Sequence, residues 1–75
     1  MADDGFEMVP VVSSQLAAVG YDPEKKQLRV EFVNGNVYDY SQVPQDIYEQ
    51  LVNAPSVGQF FNGNVKWNFP YVRVS

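Results

Sequence analysis

The sequence predicts an α+β domain in which a three-stranded antiparallel meander is followed by two short helices packed on one sheet face. Three observations predict it. Leu28, Val30 and Phe32 alternate with Arg29 and Glu31, the period of a strand with one buried and one wet face. Two turn signals, Asp22-Pro23-Glu24-Lys25-Lys26 and Asn34-Gly35, divide the run from Leu16 to Tyr40 into strand-length pieces. Beyond Pro44 the apolar residues recur at helical spacing instead, with Ile47, Tyr48, Leu51 and Val52 on one stripe. We expect strands at about 16–22, 27–33 and 36–41, and helices at about 44–54 and 56–65.

Residues 1–13 read as a flexible tail, because Asp3, Asp4, Gly5 and Glu7 are polar and Met8 to Val12 has no clear period. Pro10 blocks a central strand there. The single domain then runs over 14–75. In its first strand, Val19 and Tyr21 fall opposite Val30 and Leu28 if the first loop spans Pro23 to Lys26. Gly20 is then on the outer face.

The second turn decides where Tyr38 and Tyr40 point. A two-residue loop at Asn34-Gly35 would set Asp39 opposite Val30 and bury a carboxylate in the apolar face. A longer loop would oppose Glu31 to Asp39. A three-residue loop, Val33-Asn34-Gly35 with Gly35 left-handed, pairs Val30 with Tyr38, Leu28 with Tyr40 and Arg29 with Asp39. The tyrosines are therefore expected to face the core rather than form a base-stacking platform on the outer face. That outer face, with Ala18, Gly20, Arg29, Glu31, Val37 and Asp39, offers no aromatic ring.

A meander with one apolar face needs a cover. Pro44 suits a first helical position, with Asp46 in the first turn, and Pro55 ends that helix. Ser56 caps the second helix, with Gln59 completing a capping-box pattern, and Val57, Phe60, Phe61 and Val65 form its stripe. Gly58 is a candidate for close packing, whereas Gly63 either sits inside this helix or ends it. The aromatic tail Lys66 to Ser75 is expected to close the open side of the core.

Composition excludes several functions. The 75 residues include no cysteine and no histidine, which removes thiol chemistry, thiolate metal sites and the commonest general base. Asp22, Glu24, Asp39, Asp46 and Glu49 are scattered over turns, strand and helix, and read as solvated surface charge rather than a metal or catalytic cluster. We expect no enzyme, no cofactor and no metal. The net charge of −4, nine acids against five bases, disfavours nucleic acid and anionic membranes as partners of the whole surface. No apolar run approaches the roughly 20 residues of a membrane span, and the acidic start does not resemble a secretory signal. A cytoplasmic protein is expected.

The ordered set "LRVEFVNGNVYDYSQVP" and "LVNAPSVGQFFNGNV" resembles the KTSC domain. That short family is named for its place at the C-terminus of some lysyl-tRNA synthetases, and it also occurs as small stand-alone bacterial proteins. The resemblance rests on Tyr38-Asp39-Tyr40, the family's tyrosine-any-tyrosine mark, with Phe32, Gly35, Val43-Pro44, Ala54, Ser56, Gly58, Phe61 and Asn62, over roughly residues 14–70. Attachment to a synthetase implies RNA binding by analogy. Phe32, Gly35, Tyr38, Tyr40, Pro44, Ser56, Gly58 and Phe61 read as structural members of this motif.

The candidate binding residues are Lys66, Trp67, Arg73 and Asn62. Trp67 beside Lys66 either offers a cationic-aromatic contact or caps the core while Lys66 is solvated. Asn62 and Asn64 either bond backbone at the helix end or read a partner's polar group. The expected function is a non-catalytic interaction module for an unknown protein partner. The alternative is weak RNA binding through the local patch of Lys66, Trp67 and Arg73.

Overall fold

The computed structural model describes residues 7–75, and it is an antiparallel sheet with two helices against one face. In chain order the elements are β1 (Val9–Pro10), β2 (Leu16–Asp22), β3 (Gln27–Phe32), β4 (Val37–Tyr40), α1 (Gln45–Asn53), α2 (Val57–Asn64) and β5 (Tyr71–Arg73). Spatial strand order follows sequence order, so β2, β3 and β4 form the expected meander and two short strands extend it at either edge.

The register is the one that keeps carboxylates out of the core. Val30 pairs with Tyr38, Leu28 with Tyr40 and Arg29 with Asp39. The loop between them is the three-residue form: Phe32 N–H donates to the Asn36 carbonyl at 2.9 Å, and Gly35 N–H donates to the Phe32 carbonyl at 2.9 Å. Gly35 has φ +95°, a conformation that carries a steric penalty for any residue with a Cβ. The Asn34 side chain closes the turn by accepting from Asn36 N–H at 3.0 Å. On the other side Val19 pairs with Val30, Gly20 with Arg29 and Tyr21 with Leu28, and a bulge between Leu16 and Ala18 returns Leu16 to the core face.

The core joins that face to the helices. Leu16, Val19, Leu28, Val30, Tyr40, Val43, Leu51, Val57, Phe61 and Val65 are buried together, with both helices contributing. Tyr48 of α1 stacks on Tyr21 at 5.2 Å, and the Tyr21 hydroxyl donates to the Val43 carbonyl just before α1. Ser56 caps α2 by accepting from Gln59 N–H at 3.3 Å. Gly63 lies inside α2. At Gly58 a Cβ would meet Ser13 Oγ at 3.1 Å and Gln15 Oε1 at 3.3 Å, so the glycine lets α2 approach the start of β2.

Four expectations change. Pro44 is the N-cap of α1 rather than its first residue: its ψ of 150° is extended, and its carbonyl accepts from Ile47 and Tyr48 N–H. The tail is docked where it is described. Val9–Pro10 pair with β2 as an edge strand, where a proline's missing donor faces away from the sheet, and Met8 crosses Gly20 so closely that a Cβ there would lie 2.8 Å from its sulfur. Residues 1–6 lie outside the described residues. The aromatic C-terminal segment does more than close the core, since Tyr71–Arg73 add a strand beside β4. Finally, Asp22 and Asp39 are buried rather than solvated. Asp22 folds the first turn by accepting from Glu24 N–H at 3.0 Å. Asp39 accepts from Arg29 Nε at 2.7 Å and Nη2 at 2.9 Å in a two-pronged ion pair.

Candidate functional site

Five aromatic rings form a closed circuit at the β4 side of the helix-covered face. Phe32 meets Tyr38 at 5.6 Å, Tyr38 meets Tyr71 at 5.8 Å, and Tyr71 meets Tyr40 at 5.3 Å between ring centroids. Tyr40 then meets Phe61 at 5.5 Å, and Phe61 returns to Phe32 at 5.6 Å. Alternation along β4 and β5 produces this: Tyr38 pairs with Arg73 and Tyr40 with Tyr71, so all four project to one face. Phe61 of α2 covers only the inner part of the circuit. Tyr40 is 3% exposed, Tyr71 is 46% exposed, and Tyr38 lies between them.

The uncovered part is the floor of a cleft of about 510 Å³, within the range of small-ligand sites. Phe32, Tyr38, Tyr40 and Tyr71 supply its rings, Ser14, Gln15, Asn34 and Asn36 its polar rim, and Lys66 and Trp67 one lip. That lip is set by the end of α2. Buried Val65 anchors it, Lys66 N–H donates to the Phe61 carbonyl at 2.9 Å, and Asn68 N–H donates to the Val65 carbonyl at 3.1 Å. The resulting turn pushes Trp67 outward to 73% exposure, with the Lys66 ammonium 5.2 Å from its ring. Trp67 therefore does not cap the core.

Of the four sequence-predicted binding residues, the structure places two in the cleft wall, one beside its rim and one outside it. Lys66 and Trp67 line it. Arg73 stands on the same sheet face as Tyr38 and donates through Nη2 to the rim residue Asn36 at 3.3 Å. Asn62 is held outside, exchanging two amide hydrogen bonds of 3.1 Å with Gln15 rather than bonding backbone at the helix end. Asn64 does bond backbone, donating to the Phe60 carbonyl at 3.2 Å. Phe32, Tyr38 and Tyr40 face the core as expected and wall the cleft as well. Tyr71, Asn34, Asn36, Ser14 and Gln15 were not foreseen as site residues. Asn34 read as a turn former and Asn36 as the start of a strand, and the edge strand carrying Tyr71 has no alternating pattern long enough to read.

The cleft's electrostatics differ from those of the whole chain. Among the described residues no lining side chain is acidic, although the sequence holds nine acids. Burial, reinforced by the neighbouring Tyr71 and Tyr38 hydroxyls, pushes the Tyr40 hydroxyl up to about 12. This hydroxyl therefore stays a neutral hydrogen-bonding group at physiological pH. Among the described residues no group of three or more His, Cys, Asp or Glu could hold a metal ion, and no helix is long and apolar enough to cross a membrane.

Comparison with known proteins agrees with this architecture. A protein of Tsukamurella paurometabola is 44% identical over 62 residues, covering 83% of this chain and 92% of its own length. A lysine–tRNA ligase of Nostoc sp. is 37% identical over 70 residues, covering 93% of this chain, which spans only 12% of that enzyme. The crystal structure of a KTSC domain protein from Yersinia pestis superimposes with a TM-score of 0.88 at 32% identity, over 93% of this chain and 99% of that one. With the family profile of the KTSC domain matching residues 12–69 as well, the chain belongs to the KTSC domain family.

Proposed function

We propose that the chain is a non-catalytic binding module that takes a short single-stranded RNA segment into its aromatic cleft. The observation that carries this reading is the cleft's composition. Stackable rings, an exposed tryptophan and a lysine are collected where, among the described residues, no carboxylate lines the wall, in a chain whose net charge is −4. A base stacked on such a ring contributes about 1–3 kcal/mol, and the rings accept any base face. In this reading the cations that meet flanking phosphates are Lys66 of the lip and Arg73 beside the rim. The acidic remainder of the surface limits binding to this local site and keeps it weak. Relatives named lysine–tRNA ligase carry a region similar to this chain, which fits a module that touches tRNA in the cytoplasm.

A second reading, a protein partner, is favoured by β5, an edge strand on which Val72 is 61% exposed, with Val74 just beyond it at 46%. A salt series of titrations with labelled single-stranded RNA and tRNA separates the two. Two phosphate contacts give a slope of about −1.4 in log K against log salt. Trp67→Ala should weaken binding by roughly 5- to 150-fold, the equivalent of one lost stack. Absence of binding at low salt removes the RNA reading and leaves the β5 edge as the place to seek a partner. A steep slope that ignores Trp67→Ala and Lys66→Ala contradicts the site.

A further inference from the structure

We infer that β5 pairs edge to edge, antiparallel, with β5 of a second copy of this chain, in the register that sets Val72 opposite Val72. This surface lies beside the cleft, and its pairing is independent of the RNA reading. β5 is the last strand of the sheet, with β4 as its neighbour on one side. An antiparallel ladder bonds at every second residue pair. Val74 N–H donates to the Val37 carbonyl at 2.8 Å, and Ser41 N–H donates to the Pro70 carbonyl at 2.8 Å. Val72, midway between Pro70 and Val74, therefore turns its backbone groups toward its partner Asp39 on β4. The N–H and C=O of Tyr71 and Arg73 point the other way, out of the sheet edge. Among the described residues these four groups have no hydrogen-bond partner.

The edge is complementary to itself in one register. With Val72 on Val72, Tyr71 of each copy stands opposite Arg73 of the other, and the two pairs exchange N–H and C=O so that all four outward groups are bonded. Centring the pair on Arg73 sets two guanidinium groups directly opposite each other. Centring it on Tyr71 carries the Arg73 groups to Phe69, outside the strand. A centre between residues sets outward groups against groups already bonded to β4. The side chains agree with the register that the backbone selects. On the cleft face each Arg73 meets the other copy's half-exposed Tyr71 ring, a cation–aromatic pair. On the outer face Val72, 61% exposed, covers its own counterpart. No residue of β5 is acidic, in a chain with nine acids. Because Tyr71 belongs to the cleft, the pairing also brings a cation of the second copy to each cleft floor. Two bodies of net charge −4 repel, and the strand has three residues, so the dimer is of the weak, transient class.

Sedimentation equilibrium of the full chain without RNA, from micromolar to millimolar concentration, should show a monomer–dimer equilibrium. Val72→Glu sets two carboxylates face to face, with Asp39 of each copy beside them, and should weaken the dimer by roughly tenfold or more. Val72→Lys sets two ammonium groups opposite each other and should weaken it too. Val72 is exposed and its ladder bonds are backbone bonds, so both variants keep the fold, which their amide spectra at micromolar concentration check. An equimolar mixture of the two variants pairs Glu with Lys only where position 72 meets position 72, and it should restore association to at least the native strength. A chain that stays monomeric at millimolar concentration overturns the inference and leaves the RNA reading untouched. A dimer that neither substitution weakens lies on another surface and overturns it as well. Variants that each weaken the dimer but whose mixture stays monomeric overturn the register centred on Val72.

Discussion

Tyr40 and Tyr71 are register partners on β4 and β5, and their rings lie 5.3 Å apart with planes tilted by 39°. One member of the pair belongs to the core, and the other opens to solvent. The contact therefore joins the hydrophobic body to the floor of the cleft, and under the proposed RNA reading it separates a stability residue from a binding residue. Tyr71→Ala should cost little stability, about 1 kcal/mol or less beyond its lost aromatic contacts, while weakening RNA binding by about 5-fold or more. Tyr40→Ala should cost about 3–5 kcal/mol, as other large-to-small core changes do. Denaturant unfolding beside a binding titration checks both, and equal stability losses at the two positions would contradict the division.

The Tyr40 hydroxyl also sets an alkaline limit. Its folded pKa of about 12 lies above the unfolded value of 10.0, so the unfolded chain loses its proton first as pH rises. Stability is fully present below pH 10 and should be lost progressively between pH 10 and about 12. Tyr21 and Tyr48, raised by burial first, act in the same direction. Thermal unfolding followed across this window should show a steeper fall for the native chain than for Tyr40→Phe. A flat profile would show that burial does not control the ionisation.

Gly35 tests the turn. Its Cβ would meet nothing within 4 Å, so a substitution there acts through backbone conformation and not through crowding. At φ +95° a branched side chain is strained, and Gly35→Val should destabilise by about 1–3 kcal/mol. Gly63, in open space with ordinary helical backbone, provides the contrast: Gly63→Ala should stabilise by about 0.5–1 kcal/mol. Chemical denaturation of both variants measures the sign at each position, and stabilisation by Gly35→Val would mean that the three-residue turn is wrong.

On the outer face, Asp39 is held by Arg29 across β3 and β4, with side chains 10% and 21% exposed. Asp39→Ala leaves a largely covered guanidinium without this carboxylate and should cost about 1–3 kcal/mol, discounted for the solvent that still reaches Arg29. Because this pair lies on the face opposite the cleft, RNA affinity of the folded variant should stay within about twofold of the native chain. A larger loss in a stably folded variant would place the binding surface on the outer face.

Much of this is legible in the sequence because charge restricts register. The three-residue loop sets Asp39 opposite Arg29, clear of both Val30 and Glu31, so the order of charged and apolar residues favours one face for Tyr38 and Tyr40. The edge strands are not legible. Val9–Pro10 and Tyr71–Arg73 are too short to show alternation, and they hold their places through pairing with β2 and β4 rather than by their own pattern. The cleft is legible only in part, at Lys66 and Trp67. Its remaining walls come largely from residues already explained by another role, Asn34 as a turn former, Asn36 as a strand residue, and Tyr38 and Tyr40 as core. The buried state of Asp39 escapes too, because burial of a charge depends on a partner across the sheet and on what covers the pair.

The most direct test of the cleft as the binding site is nuclear magnetic resonance titration of the isotopically labelled chain with oligouridylate at low salt. Shifts should concentrate at the Trp67 indole N–H, the side-chain amides of Asn34 and Asn36, and the backbone of Lys66 and Tyr71, with Arg29, Gly20 and Asp39 unmoved. Shifts centred on Val72 and Val74 or on the outer sheet face, or no shift at any resonance, would contradict a cleft that binds RNA.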